Sequence, residues 1–242
     1  MEIENAIDFL LFTYFGITLD DNDDKLILDK IVDRAYRDAS SRVLSVKEGN
    51  EKCKDSAKEH IKCFLNNIKN YNFQELHKNC ALELIEIYKD KTNDDYEFTY
   101  GIAQKWLNMS VKYLIIIAKV LEKYNSENEF YKSYKDYISS IEKNCDVPID
   151  DYILEAAWSL EKENDKFQNK KIKFPLKKNK CKTKAGKYNS EKIDRWSSWK
   201  EPQRYKDFQT SLKSFIEEDK PLDWENKAWI KVAKNRDKSR KK

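Results

Sequence analysis

The chain of 242 residues is long enough for one large or two small domains, and 37% of its residues are charged, with a formal net charge of +4. Its four glycines form neither of the glycine-rich phosphate-binding motifs, which argues against the nucleotide-binding α/β folds. Composition and apolar spacing together predict an all-α protein: a multi-helix bundle with a basic linker and a small helical C-terminal extension.

The first elements along the chain are predicted as helices from their apolar spacing. We expect them at residues 3–15, 25–44 and 51–70, and a fourth from Asn72 onward. Asn72 stands in a cap position with Glu75 three residues later, which is a variant of the capping box.

The most apolar segment reads TYGIAQKWLNMSVKYLIIIAKVL and begins at Thr99. A helix that is apolar nearly all round is usually the central helix of a bundle. Its polar edge carries Lys105, Lys112 and Lys119 at a seven-residue repeat. A solvated edge is the ordinary interpretation of this repeat, and a stripe facing phosphates is the alternative.

Three regions follow from the rest of the pattern. Helices at 127–143 and 150–161 complete a helical bundle domain, which we assign to residues 1–165. Residues 166–190 are predicted as a lysine-rich linker, and residues 191–242 as an aromatic helical extension with a basic tail.

The extension is predicted to hold two helices. Ser198 and Glu201 form a capping box, and Pro202 is tolerated in the first turn that follows. Asp223 is expected to cap a last helix over residues 224–234, and the tail beyond it is expected to fray.

The five cysteines are odd in number and include no C-x-x-C pair, so a disulfide framework is not indicated. We therefore expect a reducing, cytoplasmic location. The first residues are apolar but include Glu2 and Glu4 in place of a basic segment, which predicts a core helix rather than a signal peptide. The strongest apolar run, 114–121, contains Lys119 and is too short to span a bilayer, so no membrane association is expected.

Both histidines are followed three residues later by a cysteine, as His60–Cys63 and His77–Cys80. This spacing is within reach of a structural zinc site. At 100° per residue, however, Cys63 lies far from the apolar stripe of its helix, whereas Cys80 lies on its own. We therefore expect no metal and no other cofactor, with zinc kept as the alternative.

No catalytic residue is assigned from the sequence. The Arg-then-His spacing of one class of helical ribonucleases is missing, and Glu225-Asn-Lys227 matches a metal-nuclease pattern only by letters, on a predicted helix. Cys181 lies among lysines, which lower a thiol pKa, but no histidine is nearby in sequence to act as a base. Whether the protein is an enzyme stays open, with a helical nuclease as one alternative.

The charges divide unevenly between the two parts of the chain. Residues 170–242 carry 24 basic and 10 acidic residues, a net charge of +14, while residues 1–169 carry 23 and 33, a net charge of −10. We call residues 170–187, which hold nine lysines and no acid, the basic arm. Such a block of like charges predicts that the basic arm contacts a polyanion, or an acidic surface of its own chain or of a partner.

The leading hypothesis is a protein that binds RNA or single-stranded DNA, because lysines neutralise phosphates and aromatic rings stack on unpaired bases. The alternative partner is an acidic protein. The candidate nucleic-acid-binding residues are Lys177, Lys178, Lys180, Lys182, Lys184, Lys187, Arg195, Trp196 and Trp199. For the two tryptophans, a place in the core of the C-terminal helices is the competing interpretation.

Overall fold

A computed structural model describes residues 2–39, 46–69, 72–93, 96–163, 174–176, 178–182, 188–216 and 220–240. Within these residues lie nine α-helices: α1 (Ile3–Phe15), α2 (Asp24–Ala39), α3 (Lys52–Asn67), α4 (Phe73–Tyr88), α5 (Tyr100–Tyr124), α6 (Glu129–Asn144), α7 (Asp151–Glu163), α8 (Pro202–Ile216) and α9 (Pro221–Arg240). The predicted all-α fold is confirmed.

The chain divides into two compact units. The first comprises Met1–Phe98 and Ala103–Cys145, and most of α5 forms its core. The indole of Trp106 is fully buried and donates to the carbonyl of Val32 at 3.1 Å, which ties α5 to α2. The prediction of α5 as a central helix is confirmed by its long run of buried side chains: Ile102, Ala103, Trp106, Leu107, Val111, Leu114, Ile115, Ile117, Ala118 and Leu121.

Asparagine caps fix two helix starts in this unit. The side chain of Asn72 accepts from the backbone N–H of Gln74, which confirms the predicted cap of α4. Asn128 caps α6 by accepting from Phe130 and Tyr131. A side-chain oxygen at this position satisfies backbone donors that the helix itself cannot pair.

The second unit comprises Thr99–Ile102 and Asp146–Lys242. Here α9 packs against both α7 and α8. The sequence placed the α7 region in the first domain, whereas the structure groups it with α9, because the two helices share an apolar face.

An extended segment, 146–149, is fully buried in the second unit. Buried backbone needs hydrogen-bond partners, and α8 supplies them through one glutamine. The amide of Gln209 accepts from the N–H of Val147 at 3.1 Å and donates to its carbonyl at 2.8 Å. The buried carboxylate of Asp146 accepts from the Tyr205 hydroxyl at 2.7 Å and pairs with Lys213 at 2.6 Å.

Gly101 lies where two backbones approach closely. Its N–H donates to the carbonyl of Trp199 at 2.8 Å, and a Cβ here would lie 1.9 Å from the carbonyl oxygen of Trp196. Only glycine fits at such a distance from another backbone.

The C-terminal extension differs from expectation in two places. Ser198 does not cap α8: it ends a 3-10 turn, Trp196–Ser198, and its hydroxyl donates to the carbonyl of Arg195. Pro202 instead begins α8, a position where its missing N–H costs nothing. The tail expected to fray is helical through Arg240, because α9 keeps packing contacts such as Arg236 with Glu155.

The predicted linker overlaps a short antiparallel hairpin of strands β1 (Lys178–Lys182) and β2 (Tyr188–Ile193). Lys180 pairs with Glu191 in its register, and a register shift occurs between Cys181 and Lys182. The strand pairing provides hydrogen-bonding partners for part of the backbone that was expected to be a free linker.

None of the helices formed by the described residues is long and apolar enough to cross a membrane.

We predict that replacing Gln209 by Met destabilises the second unit by about 2–4 kcal/mol. The side-chain volume is nearly kept, but a buried N–H and a buried C=O lose their partner, and each such loss costs about 1–3 kcal/mol. Urea unfolding followed by tryptophan fluorescence measures this, since Trp106 is the one tryptophan outside the second unit.

The matched control is Gln203→Met on the same helix, where the exposed glutamine bonds only to the side chain of Asp207. Its effect should stay within about 0.5 kcal/mol. Equal losses for the two variants would contradict the role given to Gln209.

Candidate nucleic-acid interface

The lysines of the basic arm are placed only in part. Lys178, Lys180 and Lys182 lie on β1. Lys177, Lys184 and Lys187 lie outside the described residues. Contact of these six lysines with phosphates stays a prediction.

The three other candidate residues lie around the 3-10 turn. Arg195 is exposed, whereas Trp196 and Trp199 are buried, at 6% and 1% exposure. The Trp199 ring packs edge-on against Phe208, and the guanidinium of Arg204 lies 4.2 Å from its centroid. Neither ring offers an open face to a base, so burial counts against a stacking role for the two tryptophans.

A row of lysines on α9 forms a basic surface that the sequence reasoning missed. Lys227, Lys231, Lys234 and Lys238 are all exposed, and their spacing places them within about 60° of one another around the helix. We call these four residues the lysine stripe. The spacing is readable in the sequence: three of the four lysines lie within the helix predicted over residues 224–234, and Lys238 lies beyond its expected end.

The helix dipole accounts for only part of the lysine stripe. Cations favour the last turn of a helix, which accounts for Lys238 but not for Lys227 and Lys231 in the middle. Asp223, an exposed acid, stands one turn before Lys227 in the first turn of the helix, where the dipole favours it. The stripe therefore presents an uninterrupted row of cations over about 16 Å, at 1.5 Å per residue.

Contacts with α7 hold α9 in place on the other side of the helix. The guanidinium of Arg236 pairs with Glu155 at 2.6 Å and lies 4.1 Å from the ring centroid of Tyr152. Trp229 stacks on Tyr152 with 4.7 Å between ring centroids, and its indole donates to Asp150 at 3.3 Å. These contacts fix the rotation of α9 and hence the direction in which the stripe faces.

A groove of about 280 Å³ runs between α7 and α9, beside the lysine stripe. Buried Ala156 and Val232 are among its apolar lining residues, and the half-buried indole of Trp224 lines it as well. Lys227 and Lys231 also line it, so the groove joins an aromatic surface to two cations. An apolar slot with a few placed charges is what a planar ligand with an anionic group requires.

The other lysine repeat, on α5, is only in part the solvated edge that the ordinary interpretation expects. Lys119 pairs with the buried carboxylate of Glu142 at 2.7 Å. Lys105 and Lys112 are half-buried and also have interaction partners. These three lysines are engaged within the first unit, which leaves less charge for a phosphate than the stripe offers.

The two His–Cys pairs do not form a shared site. His60 faces Glu83 at 3.2 Å, while the buried ring of His77 packs against Phe64 and Phe73. Burial raises the pKa of the Cys80 thiol. No group of three or more metal-ligating side chains occurs in the part of the chain that the structure describes.

The nuclease-like letters at Glu225-Asn-Lys227 lie inside α9. Glu225 is 3% exposed, whereas Lys227 points outward from another side of the helix. A carboxylate and a lysine so separated do not converge on one metal ion.

No family model, no curated protein and no solved structure matches this chain. Its function therefore has to be argued from its own geometry.

We predict that Arg236→Ala lowers the free energy of unfolding by about 1–2 kcal/mol. The variant loses a half-exposed ion pair of about 0.2–1 kcal/mol and a cation–π contact of about 0.5–1 kcal/mol. The free energy of unfolding of Arg236→Lys should lie between those of the wild type and Arg236→Ala, because lysine keeps the charge but cannot stack as a planar group. Lys238→Ala, at an exposed position on the same helix, serves as the control in urea unfolding and should change little.

Proposed function

We propose that this protein binds single-stranded RNA or DNA through its second unit, with phosphates on the lysine stripe and a base in the adjoining groove. The observation that carries the proposal is the lysine stripe beside an aromatic groove on one helix. Lysines supply the sequence-independent attraction to phosphates, and an indole supplies a surface on which an unpaired base stacks.

The dimensions of the stripe suit a polyanion. Phosphates of one strand in a duplex-like conformation repeat about every 3.4 Å along the axis, so a row of about 16 Å faces about five of them. The basic arm adds nine lysines within the same unit of the chain.

The groove favours a single strand over a duplex as the ligand. In a duplex the faces of the bases are covered by stacking, and only their edges are accessible. A half-buried indole beside two lysines fits a base that has left the stack, with its phosphate at the rim of the groove.

The salt dependence of binding tests the stripe. Replacing Lys227, Lys231, Lys234 and Lys238 together by Gln should reduce the slope of log K against log salt by about 3, since each phosphate contact on a single strand contributes about 0.7. The measurement is fluorescence anisotropy of labelled 20-nucleotide oligo(U) and oligo(dT), with a hairpin duplex alongside.

The matched control replaces Lys25, Lys78, Lys135 and Lys143, four exposed lysines of the first unit, by Gln. This control changes the net charge equally and should leave the slope unchanged. A separate variant, in which the six candidate lysines of the basic arm are replaced by Gln, tests the prediction that these lysines contact phosphates. A wild-type chain that binds no oligonucleotide at low salt contradicts the proposal, and retention of a poly-glutamate peptide in its place would indicate an acidic protein partner.

The groove is tested by a second substitution. Trp224→Leu should weaken binding by about 1–3 kcal/mol with little change in slope, because stacking is lost while the phosphate contacts remain. Trp229→Leu is the control, since its ring lies on the far side of α9 and is stacked on Tyr152. An equal loss for both variants would mean that the indoles act through folding rather than through contact with a base.

A further inference from the structure

Helix α1 leaves an unusual amount of apolar surface exposed. Leu11 and Phe15 are buried and hold the helix in the first unit, where it packs on α2. Four large apolar side chains on the rest of its surface are 58–65% exposed: Ile3, Phe9, Leu10 and Phe12. They spread over about half of the helix circumference, at 100° per residue. A cluster of this kind on a monomer marks an interaction site.

The charges around this apolar face have one sign. Residues 2–24 hold seven carboxylates and no lysine or arginine. Glu2 and Glu4 lie at the start of α1, Asp8 is half-buried in the middle of the helix and accepts from the N–H of Leu19, and the other four carboxylates follow the end of the helix, so both ends are acidic.

Two cations of α2 contact the C-terminal part of α1. Arg34 lies 3.7 Å from the ring centroid of Tyr14 and bonds to Asp38, and Lys30 approaches Gly16. They stabilise the packing of α1 on α2. Because α1 itself holds no lysine or arginine, the carboxylates at its two ends form an acidic rim on the exposed apolar face.

The acidic rim determines which of the possible partners can bind to the apolar face of α1. A second copy of α1 would bring acidic ends together in either a parallel or an antiparallel arrangement. An anionic lipid surface would be repelled in the same way. Like charges placed opposite each other oppose association, whereas opposite charges favour it and speed the encounter.

We propose that α1 is the docking face for an amphipathic helix of another protein, with an apolar stripe flanked by lysine and arginine. The four side chains offer roughly 400–500 Å² of apolar surface, about half of what one partner contributes to a standard interface. The remaining area comes from contacts of the partner's cations with the acidic rim. The interface is of the size that reversible complexes use.

The test uses the full chain and a labelled synthetic helix of leucine and lysine, 14 residues long with leucines at helical spacing, as the probe. Its charge-reversed form, with glutamate in place of lysine, is the matched ligand control. We expect anisotropy to show binding of the lysine peptide and at least tenfold weaker binding of the glutamate peptide.

Two protein variants locate the binding. Phe9→Ser with Phe12→Ser should weaken binding at least tenfold, and Leu82→Ser with Tyr137→Ser, exposed apolar positions of the same unit, should change it less than twofold. Unchanged melting curves for the variants show that the first unit still folds.

Four results would overturn the proposal. The first three are no binding of the lysine peptide, equal binding of both peptides, and an equal loss of peptide binding in the two protein variants. The fourth is wild-type self-association, or sedimentation with phosphatidylserine vesicles, that disappears in the Phe9/Phe12 variant. Light scattering after size exclusion and vesicle co-sedimentation measure the last of these.

Discussion

The second unit depends on one constraint, which is that the buried segment 146–149 must have partners for its polar groups. An unpaired buried carboxylate or amide costs more than most single contacts contribute. Helix α8 meets this need with Gln209 on the backbone of Val147 and with Tyr205 and Lys213 on Asp146. The position of α8 is therefore set by hydrogen bonds as much as by apolar packing.

The same segment sets the direction of the proposed binding surface. Immediately after it, Asp150 caps α7 by accepting from Tyr152 and Ile153, and its other oxygen accepts from the indole of Trp229 on α9. One side of α9 is thereby committed to α7, and the lysine stripe can only face away from that contact. The direction of the exposed lysine stripe is in this way a consequence of how the polar groups of a buried segment are paired.

The fold could be predicted because helical spacing, the Asn72 cap and the apolar α5 segment are local signals. Of the proposed binding site, only the positive charge could be predicted from the sequence. The nearby lysines favour a stacking role for Trp196 and Trp199, with a place in the core as the competing interpretation, and their burial depends on the non-local close approach of Gly101. Lys227, Lys231 and Lys234 lie within the helix that the sequence predicts, whereas the place of Lys238 in the lysine stripe depends on the continuation of α9 to Arg240, which rests on packing with α7.

The two exposed surfaces, on α1 and on α9, follow one physical rule with opposite signs. Each helix buries one line of side chains in its own unit, and the charge on its remaining surface decides which partner it can accept. Seven carboxylates in residues 2–24 exclude anions from α1, while the lysine stripe excludes cations from α9. A net charge of +4 hides this division, because the sum over the chain cancels charges that never act on the same ligand. On these two proposals, partner choice is a property of each helix surface, and the total charge carries little information about it.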